Sequence, residues 1–106
     1  MTDTIHWQTA PVDDNGTHLG YLDSGAPPTS DYTTFVIVHG HTFHAPVFSR
    51  LLSLAHKYNA RVTALNRRDY AHSTPFSEAD LNMLAGNEES HSQFLRARGL
   101  EIAKFL

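Results

Sequence analysis

The sequence predicts an α/β fold in which a βαβ unit with parallel strands follows an N-terminal hairpin, and three observations carry the βαβ unit. Thr34-Phe35-Val36-Ile37-Val38 is an apolar, β-branched run without alternation, the pattern of a strand covered on both faces. A helical stretch from Pro46 to Lys57 follows it, and a second short apolar strand, Arg61 to Asn66, comes next. Strand, helix, strand in that order implies a right-handed crossover onto a parallel pair.

Each element has its own signal. Ile5 to Val12 and His18-Leu19-Gly20-Tyr21-Leu22 read as two strands around Asp13-Asp14-Asn15-Gly16, where Asn and Gly tolerate the positive φ of a tight hairpin turn. Asp23 to Asp31 gathers Gly, Pro, Ser and Asp and reads as a loop. In the helix after the buried strand, Phe48, Leu51, Leu52 and Ala55 share a face, Pro46 suits the first turn, and Asn59-Ala60 ends it. Arg67 to Ser77 is a loop, and Ser77 with Glu78 starts a short helix through Leu84, closed by Gly86-Asn87. Glu88 to Leu106 places Phe94, Leu95, Ile102, Phe105 and Leu106 at helical spacing, interrupted by Gly99, which costs roughly 1 kcal/mol relative to alanine.

Composition permits a core and narrows the partners. With 106 residues, 41% hydrophobic and 18% charged, the chain has ordinary globular composition and the size of one domain. Eight Lys and Arg against 11 Asp and Glu leave a formal net charge of -3, and Arg67-Arg68 is the longest basic run, so no nucleic-acid partner is expected. The absence of cysteine excludes disulfides, thiolate metal sites and a cysteine nucleophile within these residues. Met1 to His6 lacks the start of a signal peptide, and no apolar stretch approaches a membrane span, so a cytoplasmic, soluble protein is expected.

The most informative segment is Val36-Ile37-Val38-His39-Gly40-His41-Thr42-Phe43-His44-Ala45-Pro46, where the buried strand passes through His-Gly into a loop and a helix. Glycine lets a backbone turn sharply, and a preorganised N–H needs no reorientation when an acyl oxygen gains charge. Here the chain resembles the α/β-hydrolase family, in which His-Gly follows the third strand and an amide beyond the glycine forms half of the oxyanion hole. His18 to Gly25 is similar to the family's second strand with its Asp-x-Gly ending, and Phe48 with Leu51-Leu52 to its first crossover helix. Arg61 to Pro75 resembles the fourth strand and the Asp-x-Arg-Gly-x-Gly-x-Ser-x-Pro loop, with Asn66 for the aspartate, and Asp69 and Ala71 for the glycines.

The resemblance spans about Ile5 to Leu106 and implies a partial α/β-hydrolase sheet: an N-terminal hairpin, then βαβ, then a C-terminal helix, an incomplete three-layer sandwich. Residues 1–106 would be the N-terminal part of a single domain. It further implies that the backbone N–H groups of His41 and Thr42 are the oxyanion donors, that His39, Gly40, Tyr70 and His72 border the substrate, and that no cofactor or metal is needed. The family's Gly-x-Ser-x-Gly elbow, acid and histidine come later than Leu106, so the chain alone is expected to be inactive, completing a small-molecule hydrolase only with further sequence. Ala71-His72-Ser73-Thr74-Pro75 mimics the elbow, but Pro75 stands where glycine is needed, and Ser73 is read as a turn residue.

Two other readings compete. Ending at Leu106 would leave the strand Phe35 to Val38 at a sheet edge, open to self-association or to a partner strand, as in a non-catalytic binding domain. His39-x-His41-x-x-His44 also has the spacing of a metal-dependent hydrolase, but Phe43 stands where an aspartate ligand belongs. Arg67-Arg68-Asp69 reads first as solvated charge or local ion pairs and second as a group for anionic substrates, and Trp7 as a packing residue.

Overall fold

The structure is a computed structural model that describes residues 6–40 and 43–106. Four strands, β1 (Gln8–Pro11), β2 (His18–Asp23), β3 (Thr33–Val38) and β4 (Ala60–Leu65), form one sheet in the order β1-β2-β4-β3. The β1/β2 and β2/β4 pairs are antiparallel, while β3 and β4 run parallel from Thr33↔Ala60 to Val38↔Leu65. Between β3 and β4 lie a 3-10 turn (Ala45–Phe48), helix α1 (Ser49–Leu54) and a second 3-10 turn (His56–Tyr58). Helices α2 (Glu78–Leu84) and α3 (Glu88–Phe105) follow β4. Among the described residues no helix is long and apolar enough to cross a membrane.

The two faces of the sheet carry separate cores. On one, Leu22 and Ala64 pack with Ala45, Phe48 and Leu52 of the crossover, and Trp7 joins them. On the other, Val12, Leu19 and Leu65 pack against Tyr21, Val36, and Ile102 and Phe105 of α3. Strand alternation makes this possible, because Ala64 and Leu65 are neighbours in β4 yet face opposite layers. The α/β class and the partial, incompletely covered sheet expected from the sequence are therefore what the chain forms.

Several local expectations need correction. The hairpin does not close as a two-residue Asn-Gly turn. Val12 N–H donates to Thr17 O at 2.9 Å, and Asp13 Oδ1 accepts from the amides of Asn15 (2.8 Å) and Thr17 (3.0 Å), leaving only Gly16 at positive φ (+88°). The stretch 46–57 is not one helix. Ser49 and Ser53 hydroxyls donate back to the carbonyls of Pro46 and Arg50, no side chain caps either opening, and Asn59 turns left-handed (φ +52°) to end it.

Strand β3 is not covered on both faces, since Phe35 is 55% and Val38 42% exposed. As the last strand it has a neighbour on one side only, and the helices cover the middle of the sheet. Leu51 likewise points away from the buried face of α1 and lines an apolar groove of about 310 Å³ beside Phe35, Ile37 and Tyr58. In α3 the face carrying Phe94, Ile102 and Phe105 packs inward, whereas Leu95, a third of a turn away, is exposed.

Candidate functional site

The C-terminal ends of β3 and β4 lie side by side, Val38 opposite Leu65, so the residues following each strand meet. His39 is buried, with both ring nitrogens engaged. Nε2 accepts from the Arg67 amide at 3.0 Å, which a backbone N–H can only donate, so the proton sits on Nδ1 and is donated to Gly40 O at 2.9 Å. Burial is the main cause that pushes the His39 ring below its usual pKa; the Gly40 hydrogen bond opposes it, and the Arg67 and His44 charges add to it. The neutral Nδ1–H tautomer is thus both the bonded form and the favoured one.

The other end of the loop is tied to the same place. The Ala45 amide, fully buried, donates to Asn66 Oδ1 at 2.6 Å, while Asn66 Nδ2 donates to Ala71 O at 3.0 Å. Asn66 also holds β2 through its own amide, which donates to Gly20 O at 2.8 Å. The loop from residue 39 to residue 45 therefore has two feet, His39 and Ala45, both fastened to the dipeptide Asn66-Arg67. Phe43 N–H donates to Gly40 O at 3.2 Å.

The loop after β4 is self-locked. Ser73 Oγ donates to Asn66 O (2.6 Å) and accepts from the Gly20 amide (2.9 Å), so this buried hydroxyl is a turn staple and not a free nucleophile. Thr74 pairs with β2, its amide donating to His18 O and its Oγ1 accepting from the His18 amide. Asp69 stands at φ +72°, where the resemblance places a glycine; its carboxylate accepts from the Phe76 amide at 3.0 Å and offsets the strain. The tight turn survives without the glycine.

Arg68 is not solvated. It is 6% exposed and forms ion pairs with Asp80 (2.6 Å) and Glu101 (2.7 Å), while Nε and Nη2 donate to the carbonyls of Thr74 and Pro75. Arg98 pairs with the same two carboxylates, at 3.3 Å and 2.8 Å. Burial raises the Asp80 pKa, but hydrogen bonds from Ser77 and Arg68 and the Arg68 charge outweigh it, holding the carboxyl at about 2. This network joins the loop to α2 and α3, and Ser77 with Asp80 forms the capping box of α2.

Of the residues singled out from sequence, His41 and Thr42, the expected oxyanion donors, lie outside the described residues. Gly40 is described and exposed; it does not use left-handed φ, and a Cβ there would meet only Phe43 Cδ2 at 3.9 Å. His39 and Tyr70 come together, ring centroids 4.3 Å apart and edge to face. His72 instead stacks on Trp7 at 4.4 Å. Of the histidines in the metal reading, His39 has both ring nitrogens bonded to protein groups, and His41 lies outside the described residues. Asn66 and Arg68 carry anchoring roles that their sequence readings did not assign; a polar residue straight after an apolar strand was the signal for Asn66.

The chain is similar in structure to a bromoperoxidase from Bacillus anthracis, an α/β-hydrolase-fold protein. The TM-score is 0.54 at 15% identity, over 86% of this chain and 29% of that one. A probable hydrolytic enzyme from Pseudomonas aeruginosa PAO1 aligns over 89% of this chain and 30% of its own, with 21% identity and a TM-score of 0.48. No protein-family model and no curated protein sequence matches. At such identity the first likeness speaks for the fold: the chain carries part of an α/β-hydrolase sheet and spans 29% of the bromoperoxidase chain.

Proposed function

We propose that the chain supplies the N-terminal part of an α/β-hydrolase domain, in which the loop from residue 39 to residue 45 offers the backbone amides of His41 and Thr42 to a developing oxyanion. The nucleophile that attacks the ester or amide would lie outside these 106 residues. The observation that carries this reading is the double fastening of the loop to Asn66-Arg67, at 3.0 Å and 2.6 Å. A loop fixed at both feet keeps its amides aimed, and preorganised donors stabilise charge without reorganisation. His39 acts through the loop and not on substrate, since its ring nitrogens are already bonded; Gly40, Tyr70 and His72 border the substrate side.

The test joins the chain to the sequence encoded after Leu106, where an apolar strand followed by Gly-x-Ser-x-Gly is expected. In that longer protein His41→Pro removes the N–H and lowers kcat by about 100- to 1,000-fold, with KM little changed. The 106-residue chain alone takes up no serine-directed fluorophosphonate probe; labelling of it would sink the proposal. A second reading, partner binding through the sheet edge, is favoured by the exposure of Phe35 and Val38 on β3. It predicts association that Val36→Lys abolishes.

A further inference from the structure

We propose that the small cavity between the loop after β4 and α3 binds a short aliphatic monocarboxylate, gripped by the Arg67 guanidinium. The site is built from other residues than the expected oxyanion donors, so the proposal does not depend on that reading.

Charge and donor counting carry the argument. Arg67, Arg68, Arg98 and Glu101 line a partly enclosed space of about 30 Å³, enough for a group the size of a carboxylate head and too small for a bulky anion. Asp80 and Glu101 together balance the charges of Arg68 and Arg98, so the charge of Arg67, the third arginine lining the space, has no carboxylate in this network. Arg61, Arg68 and Arg98 each hold a carboxylate, at distances between 2.6 Å and 3.3 Å. Among the described residues no acid pairs with half-buried Arg67, whose side chain makes one long contact, Nη1 to His39 O at 3.5 Å.

The neighbouring arginines are already spent. Arg68 commits Nε, Nη1 and Nη2 to Thr74 O, Glu101, Pro75 O and Asp80, and Arg98 commits all three of its nitrogens to Glu101 and Asp80. The fork of Arg67 is left to meet a planar pair of oxygens, the geometry guanidinium prefers. A single leftover charge matches a monovalent anion better than a dianionic phosphate. The remaining wall is apolar: Leu19, Phe76 and Phe94 line the cavity, and the Arg98 guanidinium lies over the Phe94 ring at 4.6 Å. That wall suits an alkyl stub and distinguishes a fatty monocarboxylate from a halide.

The 106-residue chain is titrated with acetate, then with chloride and with inorganic phosphate, at constant ionic strength, while the arginine Nε–Hε resonances are followed. Acetate is expected to saturate and to move the Arg67 signal. Arg67→Gln, which leaves the backbone anchor to His39 in place, weakens acetate binding about tenfold or more, and Arg67→Lys weakens it too because the charge stays but the fork is lost. No saturation with acetate overturns the proposal. So does acetate binding undiminished in either variant, or chloride or phosphate saturating the same signal as tightly as acetate does.

Discussion

Replacing Asn66 with alanine is the sharpest test of how the loop after β3 is held. The side chain is fully buried and its amide orientation is fixed by its partners, since Ala45 N–H can only donate and Ala71 C=O can only accept. Asn66→Ala strands both groups. Each unmet buried partner costs about 1–3 kcal/mol, and Ala45 is fully buried while Ala71 is exposed and regains water, so the sum is about 2–4 kcal/mol. Urea unfolding followed by Trp7 fluorescence reads this directly, because Trp7 packs on the core cluster that includes Ala45. Asn66→Asp separates the two bonds: the carboxylate still accepts from Ala45 but repels Ala71 O. Its protonated form regains a donor, so the folded state binds that proton more tightly than the unfolded one and this variant gains stability as pH falls. An Asn66→Ala variant within about 1 kcal/mol of the parent would refute the reasoning.

Other expectations are as direct. A Cβ on Gly20 would sit 2.6 Å from His72 Cβ and 2.9 Å from its backbone, so Gly20→Ala loses about 1–3 kcal/mol in the same unfolding assay. Asp80, at about 2 when folded against 3.8 otherwise, contributes about 2 kcal/mol that is present above pH 3.8 and lost as pH falls toward 2; Asp80→Asn should flatten that part of an acid-stability profile. His39, lowered in the fold, works in a different window: the unfolded chain takes the proton first, so stability falls as pH drops below 6.5, and an NMR titration of the His39 ring places its midpoint below that value. Asp69→Gly relieves left-handed strain that Asp69→Ala retains, so the glycine variant is the more stable of the two by about 1 kcal/mol, measured by thermal melting.

What was legible in the sequence was what depends on neighbours along the chain. The Ser77 cap of α2 and the apolar runs of β3 and β4 are local patterns, and each formed close to where it was expected. The crossover helix failed as a single element because Ser49 and Ser53 bond back to the backbone, a choice that propensity leaves open. The exposure of Phe35 and Leu51 depends on which strand is last in the sheet, a property of topology and not of their own segments. For the site, the position of His39-Gly40 at the end of β3 was readable, but its fastening was not: the partners of His39 and Ala45 lie 28 and 21 residues away. Arg68 reads as solvated charge or a member of local ion pairs, and which acids it pairs with is not visible until Asp80 and Glu101, from two later helices, are brought beside it.

The double fastening of the loop also has a kinetic meaning. Both feet are tied to Asn66-Arg67 by long-range bonds, so this fastening forms only when β4 has paired with β3 and delivered that dipeptide. Closing that crossover is a non-local step whose entropy must be spent before its contacts form. The fastening of His39 and Ala45 therefore arises late, as a by-product of strand pairing, and any change that loosens the parallel pair would release these two anchors before it unfolded the rest of the sheet.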